Sequence, residues 1–178
     1  DKSKESCTEE DLIPVEKGQI KLENEAVLKA KKFLFCDTNL LVTKVFSDIY
    51  YNRCDANLEQ AAREHEYDLI FLTNIDVPWE ADDLRDSPDD REITFGTFKK
   101  AIIANGNPYI KLKGDVASRF EKAVKIIDQL VLAKQLGFTS ADFVAMCHKK
   151  ISITTIHKQM QFFKDGIAIV NLVRSAVK

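Results

Sequence analysis

Apolar positions in this chain follow two periods, and the alternation between them outlines its architecture. Glu9 to Lys32 has a helical period: Ile13, Ile20, Val27 and Leu28, with Ala26 and Ala30, form one apolar face among charged residues. Pro14 lies near the start of this segment, where proline is tolerated. The pattern then collapses into the run Phe33-Leu34-Phe35-Cys36, closed by Asp37. A short uninterrupted apolar run ending in a carboxylate predicts a buried parallel strand that delivers Asp37 to its C-terminal edge. Thr38 or Asn39 supplies a cap for a helix over 40–52. Further strands are predicted over 67–73 and 109–112, the latter introduced by the turn signal Asn105-Gly106-Asn107-Pro108. Asp115 caps a long helix to about Leu136, with Phe120, Val124, Ile127, Leu130 and Val131 on one side.

Strand, helix, strand, loop, strand, helix is the order of a doubly wound α/β sheet, in which ligands bind at the carboxyl ends of the strands. Asp37, Asp76 and the segment after Thr73 all fall on that edge. Beyond Gly137 the character changes. Two helices are predicted over 140–150 and 154–165, the first with a Thr139-Ser140-x-Asp142 cap signal, followed by the apolar run Ile167 to Val173. Residues 1–136 are therefore expected to form one α/β domain, and 137–178 a helical tail that opens a second.

Composition narrows the function classes. The 178 residues are 45% apolar and 30% charged with a net charge of −2, which describes an ordinary globular protein with no pull toward nucleic acid or acidic membranes. No stretch reaches the ~18 to 20 apolar residues of a membrane span, and the charged N-terminus has no signal-peptide core. Cys7, Cys36, Cys54 and Cys147 form no C-x-x-C pair, and free thiols suit a cytoplasmic location. His65, His148 and His157 show neither metal nor triad spacing.

Two places carry candidate chemistry. Asp37, at a strand tip, suits the acid that holds Mg²⁺ or its water shell, and it suits equally a helix N-cap. The stretch from Asn74 to Glu92 holds the sole tryptophan. Trp79, after Pro78, can stack on a flat ring, and Arg85 and Arg91 can clamp phosphate oxygens from a mobile flap. The competing reading is a solvated acidic loop. No G-x-x-x-x-G-K-[ST] occurs: among the six glycines none precedes Lys-Ser or Lys-Thr, and no two are five apart.

Several of these segments together resemble a known family. Glu9-Glu10-Asp11-Leu12, Gly18-Gln19-Ile20, Phe35-Cys36-Asp37-Thr38-Asn39-Leu40-Leu41 and Tyr67 through Asp76-Val77-Pro78-Trp79, with Leu84-Arg85-Asp86 and Pro108-Tyr109-Ile110, resemble the ribosylnicotinamide kinase domain of bacterial nicotinamide-nucleotide adenylyltransferase/kinase proteins. The likeness runs from about Thr8 to Leu136, with Asn39 standing where the family carries a second acid. It implies a P-loop NTPase-like parallel sheet with flanking helices, and an ATP- and Mg²⁺-dependent kinase acting on a nicotinamide riboside-like nucleoside. By this resemblance Asp37 is the metal-holding acid, Asp76 and Trp79 bind the nucleoside, and Arg85 and Arg91 belong to the lid over the phosphates. The family's phosphate loop would precede Asp1, so the chain is expected to be an incomplete kinase, inactive alone and prone to self-association. The alternative is a non-catalytic nucleoside- or nucleotide-binding protein. The tail from Phe138 to Arg174 resembles the start of an uncharacterised bacterial domain.

Overall fold

The computed structural model describes residues 8–80 and 88–162. These divide into two compact units, one built from residues up to Glu66 together with Gly96–Asn105, the other from Tyr67–Phe95 together with residues from Gly106 onward. In chain order the elements are helices α1 (Glu9–Lys29), α2 (Leu40–Tyr51) and α3 (Ala56–Glu64), strand β1 (Ile70–Thr73), a 3₁₀ turn (Pro88–Asp90), helix α4 (Arg91–Ala104), strand β2 (Tyr109–Leu112), and helices α5 (Val116–Gln135), α6 (Ser140–His148) and α7 (Ile153–Phe162). One of the three boundaries between the units falls within α4.

In the first unit, α1 starts at a capping box. Both the Thr8 amide and its hydroxyl donate to Asp11 Oδ2, at 2.8 and 2.7 Å. The face that α1 buries is not the expected one. Ile13, Val27 and Leu28 are exposed, the last at 87%, whereas Glu16 and Glu23 are buried and Ile20 is partly buried. Several polar groups on this side are paired. Gln19 Nε2 donates to the Thr38 carbonyl at 2.8 Å, Thr43 Oγ1 donates to Gln19 Oε1 at 3.2 Å, and Glu23 Oε2 lies 3.0 Å from His65 Nε2. Behind them, Leu40, Leu58 and Ala62 close a small apolar core between α2 and α3. Asn39 caps α2 by accepting from the Val42 amide at 3.0 Å, and Asn52 ends it in the left-handed region at φ 55°.

The expected strand over Phe33 to Asp37 is absent. The run lies in no sheet among the described residues, and Phe33 and Phe35 are 49% and 71% exposed. An apolar run becomes a strand only when a neighbouring strand takes up its amides and carbonyls. The segment instead shows a tilted contact between the Phe33 and Phe35 rings, with centroids 6.2 Å apart.

The second unit carries the sheet. β1 and β2 pair in parallel, with Ile70 opposite Tyr109 and Thr73 opposite Leu112. They are the only two strands among the described residues, so the sheet is narrower than the sequence predicts. One side of β2 enters a continuous core. Ile110 and Leu112 meet Ile126, Leu130 and Ala133 of α5, then Phe143 and Met146 of α6 and Ile153 of α7. The spacing 126, 130, 133 is one helical face, displaced from the expected one, so Phe120 and Val124 are 69% and 42% exposed. Gly137 at φ 85° ends α5. Its amide donates to the Lys134 carbonyl at 3.0 Å, and the next amide reaches Ala133 at 2.9 Å, which turns the buried Phe138 back onto the core. Thr139 and Asp142 then form a second capping box that starts α6. Helices α6 and α7 lie where the tail was expected to be helical. No helix among the described residues is long and apolar enough to cross a membrane.

Candidate functional site

The parallel pair gives the second unit a carboxyl edge, and the residues just past β1 and β2 are tied to each other there. The Asn74 amide continues the ladder by donating to the Leu112 carbonyl at 2.8 Å. Two residues later, Asp76 turns its carboxylate across to the loop after β2. Oδ2 accepts from the Gly114 amide at 2.8 Å, and Oδ1 pairs with Arg119 on the first turn of α5. Arg119 also donates to two carbonyls, from Nη2 to Asn74 at 2.8 Å and from Nε to Gly114 at 2.7 Å. Gly114 holds φ +96°, and a Cβ there would lie 3.2 Å from Ser118 Cβ, so the turn requires glycine.

This setting lowers the Asp76 carboxyl to about 2, chiefly through the Gly114 amide and then through Arg119. The folded-state value lies below the ordinary 3.8, so the carboxylate's contribution to stability is complete above the ordinary value. It is lost as pH falls from about 4 through about 2. We expect the thermal midpoints of the wild type and Asp76→Asn to differ near neutral pH and to converge below about pH 4. A gap that stays constant down to about pH 2 would contradict this assignment.

Trp79 lies three residues beyond Asp76 and is half-buried. Between them, the Val77 carbonyl accepts from Arg91 Nη2 at 3.0 Å, which anchors the loop to the start of α4. The structure thus places Asp76 and Trp79 on one loop at the sheet's carboxyl edge, anchored by Arg91 at the start of α4. Arg85 lies outside the described residues. Nearby, Lys111 on β2 stands 5.8 Å from the centroid of the Phe95 ring.

Asp37 belongs to the first unit. Its carboxyl is not the cap of α2, because Asn39 holds that position. It is exposed and followed by Thr38 at φ 71°, a backbone conformation that threonine seldom adopts. No cluster of three metal-ligating side chains occurs among the described residues. Asp37 therefore fits Mg²⁺ only in the manner of phosphate-bound magnesium, where one carboxylate, water and phosphate oxygens share the ion.

Among the described residues the thiols give no sign of nucleophilic chemistry. Burial raises the Cys36, Cys54 and Cys147 values, and neighbouring carboxylates add to the rise at Cys36 and Cys54. His65, which sequence proximity puts near Cys54, is paired with Glu23 instead.

Arg119 and the Gly114 amide are the two groups that sequence reasoning missed. The available signal was the spacing of a turn glycine and an arginine five residues later on a capped helix, Gly114-Asp115-Val116-Ala117-Ser118-Arg119.

A parallel strand pair flanked by helices is compatible with an incomplete open α/β fold, a class whose ligands bind at the strands' carboxyl ends. Residues 1–119 match the model of the AAA domain family, and the chain belongs to that family. It is 28% identical over 109 residues to the trifunctional NAD biosynthesis/regulator protein NadR of Salmonella typhimurium, an alignment covering 60% of this chain and 27% of that protein. To the protein of the same name from Escherichia coli K12 it is 26% identical over 124 residues, covering 68% of this chain and 30% of that protein. The chain thus spans less than a third of the length of these curated relatives. No solved structure matches it.

Proposed function

We propose that this chain supplies the nucleoside-binding part of an ATP- and Mg²⁺-dependent kinase that phosphorylates a ribose hydroxyl of nicotinamide riboside or a closely related nucleoside. The observation that carries this reading is the anchored loop from Asn74 to Trp79, which puts a half-buried indole at the carboxyl end of β1. Membership of the AAA domain family and likeness to NAD biosynthesis/regulator proteins support the same ligand class.

In this reading Trp79 stacks on the pyridine ring, and Asp76 keeps the loop in register from its place between Gly114 and Arg119. Arg91 uses one amino group on Val77, and its guanidinium has further donors for a phosphate oxygen. Arg85 shares that task. Asp37 would hold a water of the magnesium shell, and the ion would supply the positive charge that a phosphoryl transfer needs. Orienting the nucleoside and excluding water from it are the work of the chain's own residues.

Isothermal titration calorimetry with nicotinamide riboside tests this. Saturable one-site binding is expected, with no turnover when ATP and Mg²⁺ are added, because the 178 residues contain no G-x-x-x-x-G-K-[ST]. Robust phosphorylation by this chain alone would overturn the expected inactivity, and absence of nicotinamide riboside binding would overturn the function. The second reading is a binding module that performs no transfer in any context. It is favoured by the same loop, because stacking on Trp79 requires no phosphate chemistry.

A further inference from the structure

Both strands of the sheet end at one arginine. Arg119 projects from the first turn of α5 with its side chain only 15% exposed, and it meets three acceptors: the Asn74 carbonyl after β1, the Gly114 carbonyl after β2 and the Asp76 carboxylate between them. A planar guanidinium spans such a set because its donors diverge in a fixed fork, whereas an ammonium is a point donor that cannot reproduce it. The Gly114 amide closes the ring by donating to the other oxygen of Asp76. The next fixed point along the loop is the Val77 carbonyl, held by Arg91, and Trp79 follows two residues later. The path from β1 to Trp79 is thus pinned at Asn74, Asp76 and Val77, and the first two pins belong to Arg119.

We propose that Arg119 is a positioning residue that sets the placement of Trp79, so that the aromatic surface offered to a ligand is governed from α5. Its effect on nucleoside affinity rests on the function proposed above. Its effect on Trp79 does not, which allows the two to be tested apart.

Trp79 is the sole tryptophan, so acrylamide quenching reports its environment without added ligand. Arg119→Ala and Arg119→Lys are compared with the wild type well below their unfolding midpoints, with far-UV circular dichroism to verify the fold. Both variants are expected to expose Trp79 to quencher, and Asp76→Asn to do so in the same direction. Nicotinamide riboside should bind both Arg119 variants more weakly by about tenfold, the size expected for charge-assisted hydrogen bonds lost from a site. A merely structural role would lower the midpoint and leave Trp79 in the folded protein unchanged. Unchanged quenching in folded Arg119→Lys would therefore overturn the proposal, and that variant alone decides if Arg119→Ala does not fold. Altered quenching in the variants with no nicotinamide riboside binding by the wild type would uphold the positioning role and overturn the nucleoside reading.

Discussion

Phe143→Ala is expected to lower the free energy of unfolding by about 3–5 kcal/mol. Phe143 is 1% exposed on α6, in the core that joins β2, α5, α6 and α7. Truncation removes the transfer free energy of the ring and leaves a cavity that the surroundings fill only in part. α6 has little room to slide into it. The helix is fixed at its start by the Thr139–Asp142 capping box, and the chain leaving it is tied back by the Ile151 amide on the Met146 carbonyl at 2.9 Å. With a urea slope of roughly 2 kcal/mol/M, the unfolding midpoint should fall by about 1.5–2.5 M. Phe120→Ala is the control. Phe120 occupies the face of α5 that periodicity assigns to the core, yet it is 69% exposed, so its loss should stay within about 0.5 kcal/mol. Equal shifts for the two variants, measured by urea unfolding, would show that the helix presents its other face to the core.

Trp79→Ala is expected to weaken nicotinamide riboside binding by about ten- to a hundredfold, since stacking of a base on an aromatic side chain contributes about 1–3 kcal/mol. Trp79→Phe should recover most of the affinity, because the smaller ring retains a stacking face while the indole N–H is lost. Calorimetric titration of the three proteins separates this from a general loss of structure. Trp79 is half-buried on a loop outside the Phe143 core, so the alanine variant should keep its far-UV spectrum. Affinities for Trp79→Ala and the wild type within about twofold would remove stacking from the account.

Much of this arrangement was legible in the sequence, and the exceptions share physical causes. β2 has its expected bounds, and β1 is the second half of the run expected over 67–73. The caps at Asn39, Asp115 and Thr139 hold where local side-chain chemistry points to them. Helices α3 and α4 were missed because few of their residues enter a core. Only Leu58 and Ala62 of α3, and Ile102 of α4, are fully buried. The buried faces of α1 and α5 were misplaced because periodicity counts apolar residues, whereas docking is decided by which positions find partners. On α1 those are Gln19 and Glu23, which reach Thr38, Thr43 and His65. The Phe33 to Cys36 run failed as a strand for a related reason, since a ladder needs two members and one segment cannot announce the other. At the candidate site, Asp76 and Trp79 were identified by their position after a strand. Arg119 was not, because its role depends on contacts 43 and 45 residues away along the chain.

The central claim is that the loop carrying Trp79 binds a nucleoside. Titration of the wild-type chain with nicotinamide riboside, followed by the emission of its single tryptophan, tests it most directly. The account predicts a saturable change in Trp79 fluorescence that requires about tenfold more nicotinamide riboside in Arg119→Ala. Emission that does not change with nicotinamide riboside, with other nucleosides and nucleotides, or with ATP would contradict it.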